Sequence, residues 1–187
     1  ADYIGLEASA SSIRNVELIV VPGLLQTEDY TRTLLTHGLK QYTAEEVEHR
    51  THVRIKRQEI LIRTEAPPRL HAILDEAVLR RQVGPSPTMR AQLAHLLETA
   101  HLPNVMLQVL PLASGAHAGT SSSFVVLDFP GTATDPIPYI ETVAGDLYLE
   151  KHADIQTCEL AWAFLSGQAL SPEESSALIT AIMNSYE

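Results

Sequence analysis

Residues 70–84 read LHAILDEAVLRRQVG, and the way this stretch continues decides the fold. From Leu70 to Leu79 apolar side chains fall on both faces of an extended chain, with Leu70, Ala72, Leu74 and Val78 on one and Ile73, Ala77 and Leu79 on the other. That pattern suits a strand buried on both sides, although periodicity alone leaves a helix open. Ser86-Pro87 then marks a helix start, with proline in the first turn, where its missing N–H has no intrahelical partner to lose. Met89, Leu93, Leu96, Leu97 and Ala100 form one apolar stripe, and the helix ends near His101-Leu102-Pro103. Val105, Leu107 and Val109 alternate with Met106, Gln108 and Leu110 in a second strand, Asn104 to Pro111. Strand, helix, strand is the order of a right-handed parallel crossover, so the sheet is expected to be partly parallel.

Toward the N-terminus, Tyr3 to Ser12 reads as a short helix and the β-branched run Val16 to Val21 as a strand stopped by Pro22-Gly23. A helix follows from Thr27 to His37, with Gly38 as its stop. Thr43-Ala44-Glu45-Glu46 is a capping box in which the Thr43 hydroxyl accepts from the Glu46 amide and the Glu46 carboxylate accepts from the Thr43 amide. It opens a long helix to about Arg63, supported by the pairs Glu46 to Arg50 and Glu59 to Arg63. Toward the C-terminus, Ser123 to Phe129, Ile137 to Val143 and Leu147 to Glu150 are strands, the last two joined by a turn at Ala144-Gly145-Asp146. Helices over Asp154 to Gln168 and from the capping box Ser171-Pro172-Glu173-Glu174 finish the chain. The expected fold class is α+β: a central mixed, partly parallel sheet flanked by amphipathic helices, ending in two C-terminal helices, within one domain over 1–187.

The chain carries 13 Lys+Arg against 23 Asp+Glu, a net charge of -10 over 187 residues. A surface of that sign repels phosphate, so this chain alone is not expected to bind DNA. The apolar runs fall short of the roughly 18 residues that a membrane span needs. The single cysteine, Cys158, excludes a disulfide framework and a thiolate metal site, which fits a reducing, cytoplasmic setting. The chain begins with Ala, without the basic and apolar regions of a signal peptide, and is expected to start within a longer protein.

Arg50, Arg54 and Arg57 recur at helical spacing and form a basic stripe on an acidic protein. The stripe reads either as a dock for an acidic partner or as a solvated face paired with Glu46, Glu48 and Glu59. Asp75 and Arg80 flank the end of the first buried strand, where open sheets often build ligand sites; a structural ion pair is the competing reading. Tyr139, Glu141 and Tyr148 surround the hairpin and offer a pocket wall with apolar bodies and polar tips, or simply core filling. His117 stands in ASGAHAGTSSS, residues 113–123, either as part of a mobile polar connection or paired with a neighbouring Ser in a cryptic hydrolase. The sequence has no Gly-x-Ser-x-Gly elbow, phosphate loop or dinucleotide fingerprint, so no enzyme activity or cofactor is expected. His49 and His52 lie three apart on the long helix, but nothing nearby completes a metal site, and none is expected.

Taken with VVPGLLQTEDYTRTLL (residues 20–35) and LSPEESSALI (residues 170–179), the strand, helix, strand stretch resembles one family from about Tyr3 to Ile182. It is similar to the domain of unknown function that actinobacterial transcriptional regulators of the lambda-repressor-like (XRE) type carry C-terminal to a helix-turn-helix DNA-binding domain. The resemblance implies a regulatory domain whose DNA-binding domain lies upstream. It also implies a small partner protein encoded nearby and a homodimer. The expected function is partner binding or dimerisation, through the Arg50, Arg54 and Arg57 stripe and the exposed face of the C-terminal helices. The alternative is small-molecule sensing near Asp75, Arg80, His117, Tyr139, Glu141 and Tyr148.

Overall fold

Six strands form one sheet in the order β3-β2-β1-β4-β5-β6 in the computed structural model, which describes residues 2–131 and 135–186. The strands are β1 (Ser12–Glu17), β2 (Arg69–Asp75), β3 (Val105–Leu110), β4 (Phe124–Asp128), β5 (Ile137–Thr142) and β6 (Gly145–Tyr148). The helices are α1 (Tyr3–Ser9), α2 (Glu28–Thr36), α3 (Ala44–Arg57), α4 (Glu76–Arg80), α5 (Ser86–Thr99), α6 (His152–Gln168) and α7 (Pro172–Ser185). β2 runs parallel to both β1 and β3, whereas β4, β5 and β6 are antiparallel to their neighbours. The mixed α+β architecture and the two closing helices agree with the sequence reading.

Several boundaries differ, each for a local reason. β1 begins at Ser12 and ends at Glu17, so the apolar run that follows lies outside the sheet. β2 ends at Asp75 because the Asp75 carboxylate accepts from the Ala77 amide at 2.8 Å and caps the short helix α4. The extended chain expected from Leu70 to Leu79 therefore stops at Asp75, and Glu76–Arg80 is helical. The long helix passes at Arg57 into a 3-10 turn, Gln58–Leu61, and Glu59 pairs with Lys56 instead of Arg63, whose guanidinium donates to the carbonyls of Ala8 and Ala66. The hairpin turns on Val143 and Ala144, with Gly145 opening β6 at φ 142, a region open to glycine. Both capping boxes form as expected, at Thr43 and at Ser171.

The two faces of the sheet carry separate cores. Ile13, Leu70, Ala72, Leu74, Leu107 and Val109 pack with Tyr30, Leu93, Leu96 and Ile179 from α2, α5 and α7. Val16, Ile73, Leu110, Phe124 and Val126 pack with Cys158, Trp162 and Leu165 of α6. On that second face Arg14 donates to both Asp128 and Glu159, at 2.6 to 3.1 Å, and ties α6 to β1 and β4. His71 meets the Trp162 ring edge-on at 4.8 Å and hydrogen-bonds Gln108 at 2.6 Å.

Gln92, fully buried on α5, holds the segment between β1 and α2. Its Nε2 donates to the Leu25 carbonyl at 2.7 Å and its Oε1 accepts from the Thr27 amide at 2.8 Å. Gln92→Ala leaves both backbone groups unpaired, the Leu25 carbonyl fully buried, and opens a void. The expected loss is about 2–4 kcal/mol of unfolding free energy, read by urea denaturation; a loss below about 1 kcal/mol would show that the segment does not depend on this side chain.

Candidate functional site

β1 supplies one wall of a cavity of about 680 Å³. Side chains alternate along the strand, so Arg14 and Val16 face α6 while Ile13, Asn15 and Glu17 face the opposite layer. Ile13 joins the core there, but Asn15 and Glu17 lie beyond its edge and line the cavity. Across the sheet Asn15 is opposite Val125, and Val125 is opposite Tyr139, so the wall continues onto β4 and β5 and includes Glu141. α1 contributes Tyr3 and Glu7, the segment after β1 contributes Ile19 to Leu24, and α2 contributes Leu34 and Leu35.

α3 closes the cavity with Arg54 and Arg57. Val47, Thr51, Arg54 and Gln58 follow helical spacing, and Val47 and Thr51 are buried, so Arg54 lies on the inward stripe. Arg57 Nε lies 2.8 Å from Glu7 Oε1 in a pair whose carboxylate side chain is 2% exposed. The Arg57 guanidinium sits 5.9 Å from the Tyr3 ring, which stacks on Tyr139 at 4.1 Å. A Cβ at Gly23 would meet Arg57 Nη2 at 2.6 Å, so glycine gives the guanidinium its place against the backbone. Arg54 Nη1 donates to Gln26 Oε1 at 3.1 Å, and Gln26 donates to the Val21 carbonyl at 2.7 Å. Gln58 reinforces the same turn by donating to the carbonyls of Gly23 and Gln26.

The balance of charge inside is uneven. Glu7 is matched by Arg57, whereas Arg54 has no ion pair among the described residues. Burial pushes Glu17 up to about 7; a hydrogen bond from Ser123 opposes the shift and the Glu141 charge adds to it. Glu7 is raised by burial, against the pull of Arg57 and Tyr3. Arg54 is lowered by burial and by the like charge of Arg57, while Glu141 partly restores it. Asn15, 7% exposed, leaves its Oδ1 buried without a hydrogen-bond partner. Such an atom ordinarily finds a donor, so it marks a place where one is missing.

A second cavity of about 380 Å³ lies between residues 118–122 and α6, and Cys158 is among its lining residues. Ser121, Ser122 and Phe124 line both cavities. The segment is pressed against α6 at Gly119, where a Cβ would stand 2.9 Å from Leu165 Cδ1.

The sequence-derived candidates divide between places. Tyr139 and Glu141 line the large cavity; Tyr148 does not, and instead packs behind Tyr139 at 5.3 Å. Asp75, Arg80 and His117 lie apart from it, near the end of β2. His117 Nε2 is 3.3 Å from Asp75 Oδ2, and its Nδ1 accepts from the Gly119 amide at 3.1 Å. Both ring nitrogens are therefore engaged, and neither pairs with a serine. Arg80 is half-exposed and donates to Glu76 at 2.7 Å, and Glu76 also accepts from the Leu112 amide. Both readings of the Arg50, Arg54 and Arg57 stripe, an acidic-partner dock or a solvated face, put it outward, and that is corrected: Arg50 is exposed and stacks on Tyr42 at 4.2 Å, but Arg54 and Arg57 turn inward on α3 and line the cavity opposite β1. His49 and His52 are exposed, and among the described residues no three metal-ligating side chains gather. Glu7, Asn15, Glu17 and Gln26 were not among the candidates. Asn15 and Glu17, two apart and polar on a strand otherwise able to be buried, were the available signal.

The groups facing Glu17 around the cavity are Glu7, Tyr3, Arg54, Arg57, Tyr139 and Glu141. Because Glu17 holds its proton more tightly folded than unfolded, its contribution to stability is complete below about pH 4.5 and is lost as pH rises through about 7. Glu17→Gln removes that loss, so the variant is expected to gain up to about 3 kcal/mol over the parent between pH 5 and pH 8. Parallel pH–stability curves for the two proteins, measured by thermal unfolding, would contradict it.

No curated protein matches this chain, and no solved structure does. A family model described as Domain of unknown function (DUF5753) matches residues 1–181. The cavity wall from Tyr3 to Arg57, the mixed sheet and all but the last residues of α7 lie within that match, and the chain belongs to the DUF5753 family.

Proposed function

We propose that this domain is the sensory half of a helix-turn-helix transcriptional regulator and that it binds a small organic molecule in the cavity between β1, β4, β5 and α1 to α3. The observation that carries the reading is a 680 Å³ cavity holding an arginine without an ion pair, a carboxylate raised to about 7 and a buried carbonyl oxygen without a donor. Burying such groups costs free energy that an apolar lining would avoid, and a bound ligand recovers part of it. Cavities of this size suit ligands of drug-like dimensions. The regulator context rests on the resemblance to domains that follow XRE-type DNA-binding domains. The net charge of -10 agrees with DNA contact through another domain.

A second role, docking of a small partner protein or a second copy of the chain, is favoured by one observation. Leu160 and Phe164 stand one turn apart on the outer side of α6, 59% and 57% exposed. Membrane insertion is not indicated by the helices, since among the described residues none is long and apolar enough to span a bilayer.

Native mass spectrometry of the domain purified from its own host tests the sensory reading first. A retained mass of a few hundred daltons is expected, and a metabolite library should raise Tm for the parent but not for Arg54→Gln. A ligand at about 100 times its Kd adds ~2.7 kcal/mol of stability. Equal stabilisation of parent and variant would remove Arg54 from the site. For the second role, Phe164→Asp is expected to leave Tm within a few degrees and weaken partner or self-association at least about tenfold, since a buried aromatic anchor is commonly worth more than 1.4 kcal/mol. Unchanged association in calorimetry or ultracentrifugation would exclude this face.

A further inference from the structure

Resting on that reading of the cavity, we infer that its ligand is an amino-acid-like or short-peptide-like zwitterion with apolar side chains, its ammonium group held by the β1 and β5 wall and its carboxylate by Arg54. The strand wall gathers acceptors on one side of the cavity. Glu17 and Glu141 line the cavity, and beside them Asn15 Oδ1 is buried without a donor. An ammonium group has three N–H donors and no acceptor, which matches this set. Facing it, Arg54 hydrogen-bonds only the neutral Gln26 Oε1 among the described residues, while Arg57 is taken by Glu7. Arg54 and Glu141 line the same cavity without closing to a salt bridge, so both charges remain open to a guest between them.

Charge complementarity narrows the class. A purely cationic guest satisfies Glu17 and Glu141 but leaves Arg54 without a counterion. An anionic guest satisfies Arg54 but faces two carboxylates. A zwitterion pairs with both, and each charged group that is buried unpaired is expensive. Leu34, Leu35 and Ile19 add apolar surface to the lining for the remainder of the guest, and Ile19 is 58% exposed. The volume exceeds that of a single small amino acid and leaves room for a second residue.

The test uses this chain with L-leucine, L-phenylalanine, L-leucyl-L-leucine and tri-L-leucine, each beside its N-acetyl and C-terminal amide form, by thermal shift and calorimetry. At least one free zwitterion should bind, and both blocked forms of it should bind at least about tenfold more weakly. Arg54→Gln should abolish the preference for free acid over amide, and Glu17→Gln with Glu141→Gln the preference for free amine over N-acetyl. Should Arg54→Gln fail to fold, Arg54→Lys keeps the charge but not the bidentate fork, and is expected to weaken the free acid selectively. Equal binding of free and blocked forms, or no binding by any zwitterion, overturns the proposal. Benzamidine, benzoate and indole run in parallel, with Leu34→Trp, verified folded by circular dichroism, as the filled-cavity control. Binding of one of these that Leu34→Trp blocks, with the zwitterions silent, rejects the zwitterion and retains the cavity as a ligand site. Silence in both series rejects both.

Discussion

β1 is hydrogen-bonded along both edges, to β2 on one side and β4 on the other, and helices cover both faces of the sheet around it. A strand in that position cannot turn a polar side chain to bulk water without leaving the sheet. Ile13 and Val16 meet the constraint by joining the two cores, and Arg14 meets it by spanning two carboxylates. Asn15 and Glu17 have no ion pair among the described residues and face the volume that α1 and α3 close. The Glu7 to Arg57 pair, the Gln26 and Gln58 contacts and the glycine at position 23 are all arrangements that keep a polar volume open beside a strand that would otherwise be core.

The two faces treat buried polarity differently. On the α6 side, Arg14, Asp128, Glu159, His71 and Gln108 are joined by short hydrogen bonds, so polar groups there act as fasteners. On the other side, Arg54, Glu17 and Asn15 Oδ1 are left incompletely matched, an arrangement that lowers stability without an evident structural return. Local departures of this kind are where function is ordinarily found.

Much of the fold could be read from the chain because its signals are local. The boxes at Thr43 and Ser171 need only four residues each, and β3 and α5 declare their periods within a dozen. β1 was harder to place, since the apolar run Val16 to Val21 outlasts the strand and hides the alternation of Ile13, Asn15 and Glu17. The strand reading runs on through residues 76–79 because the Asp75 cap that ends it competes with pairing only in the tertiary geometry. For α3, polarity suggested solvent: amphipathic patterning assigns charged faces outward, and a helix whose inner stripe runs from Val47 through Thr51 to Arg54 defeats that rule. The cavity itself joins residues from 3 to 141, which no local pattern could connect.

Ser121, Ser122 and Phe124 are common to both cavities, so the chain between them is a party wall and not a boundary of either alone. It is also seated at Gly119 on Leu165, the residue next to Phe164, whose side chain is exposed on the outer side of α6. A guest that displaced this wall would enlarge one chamber at the expense of the other and shift the footing of α6. By thermodynamic reciprocity, anything gripping the outside of that helix in one of the two positions would then alter the affinity for the guest by the same factor that the guest alters its own.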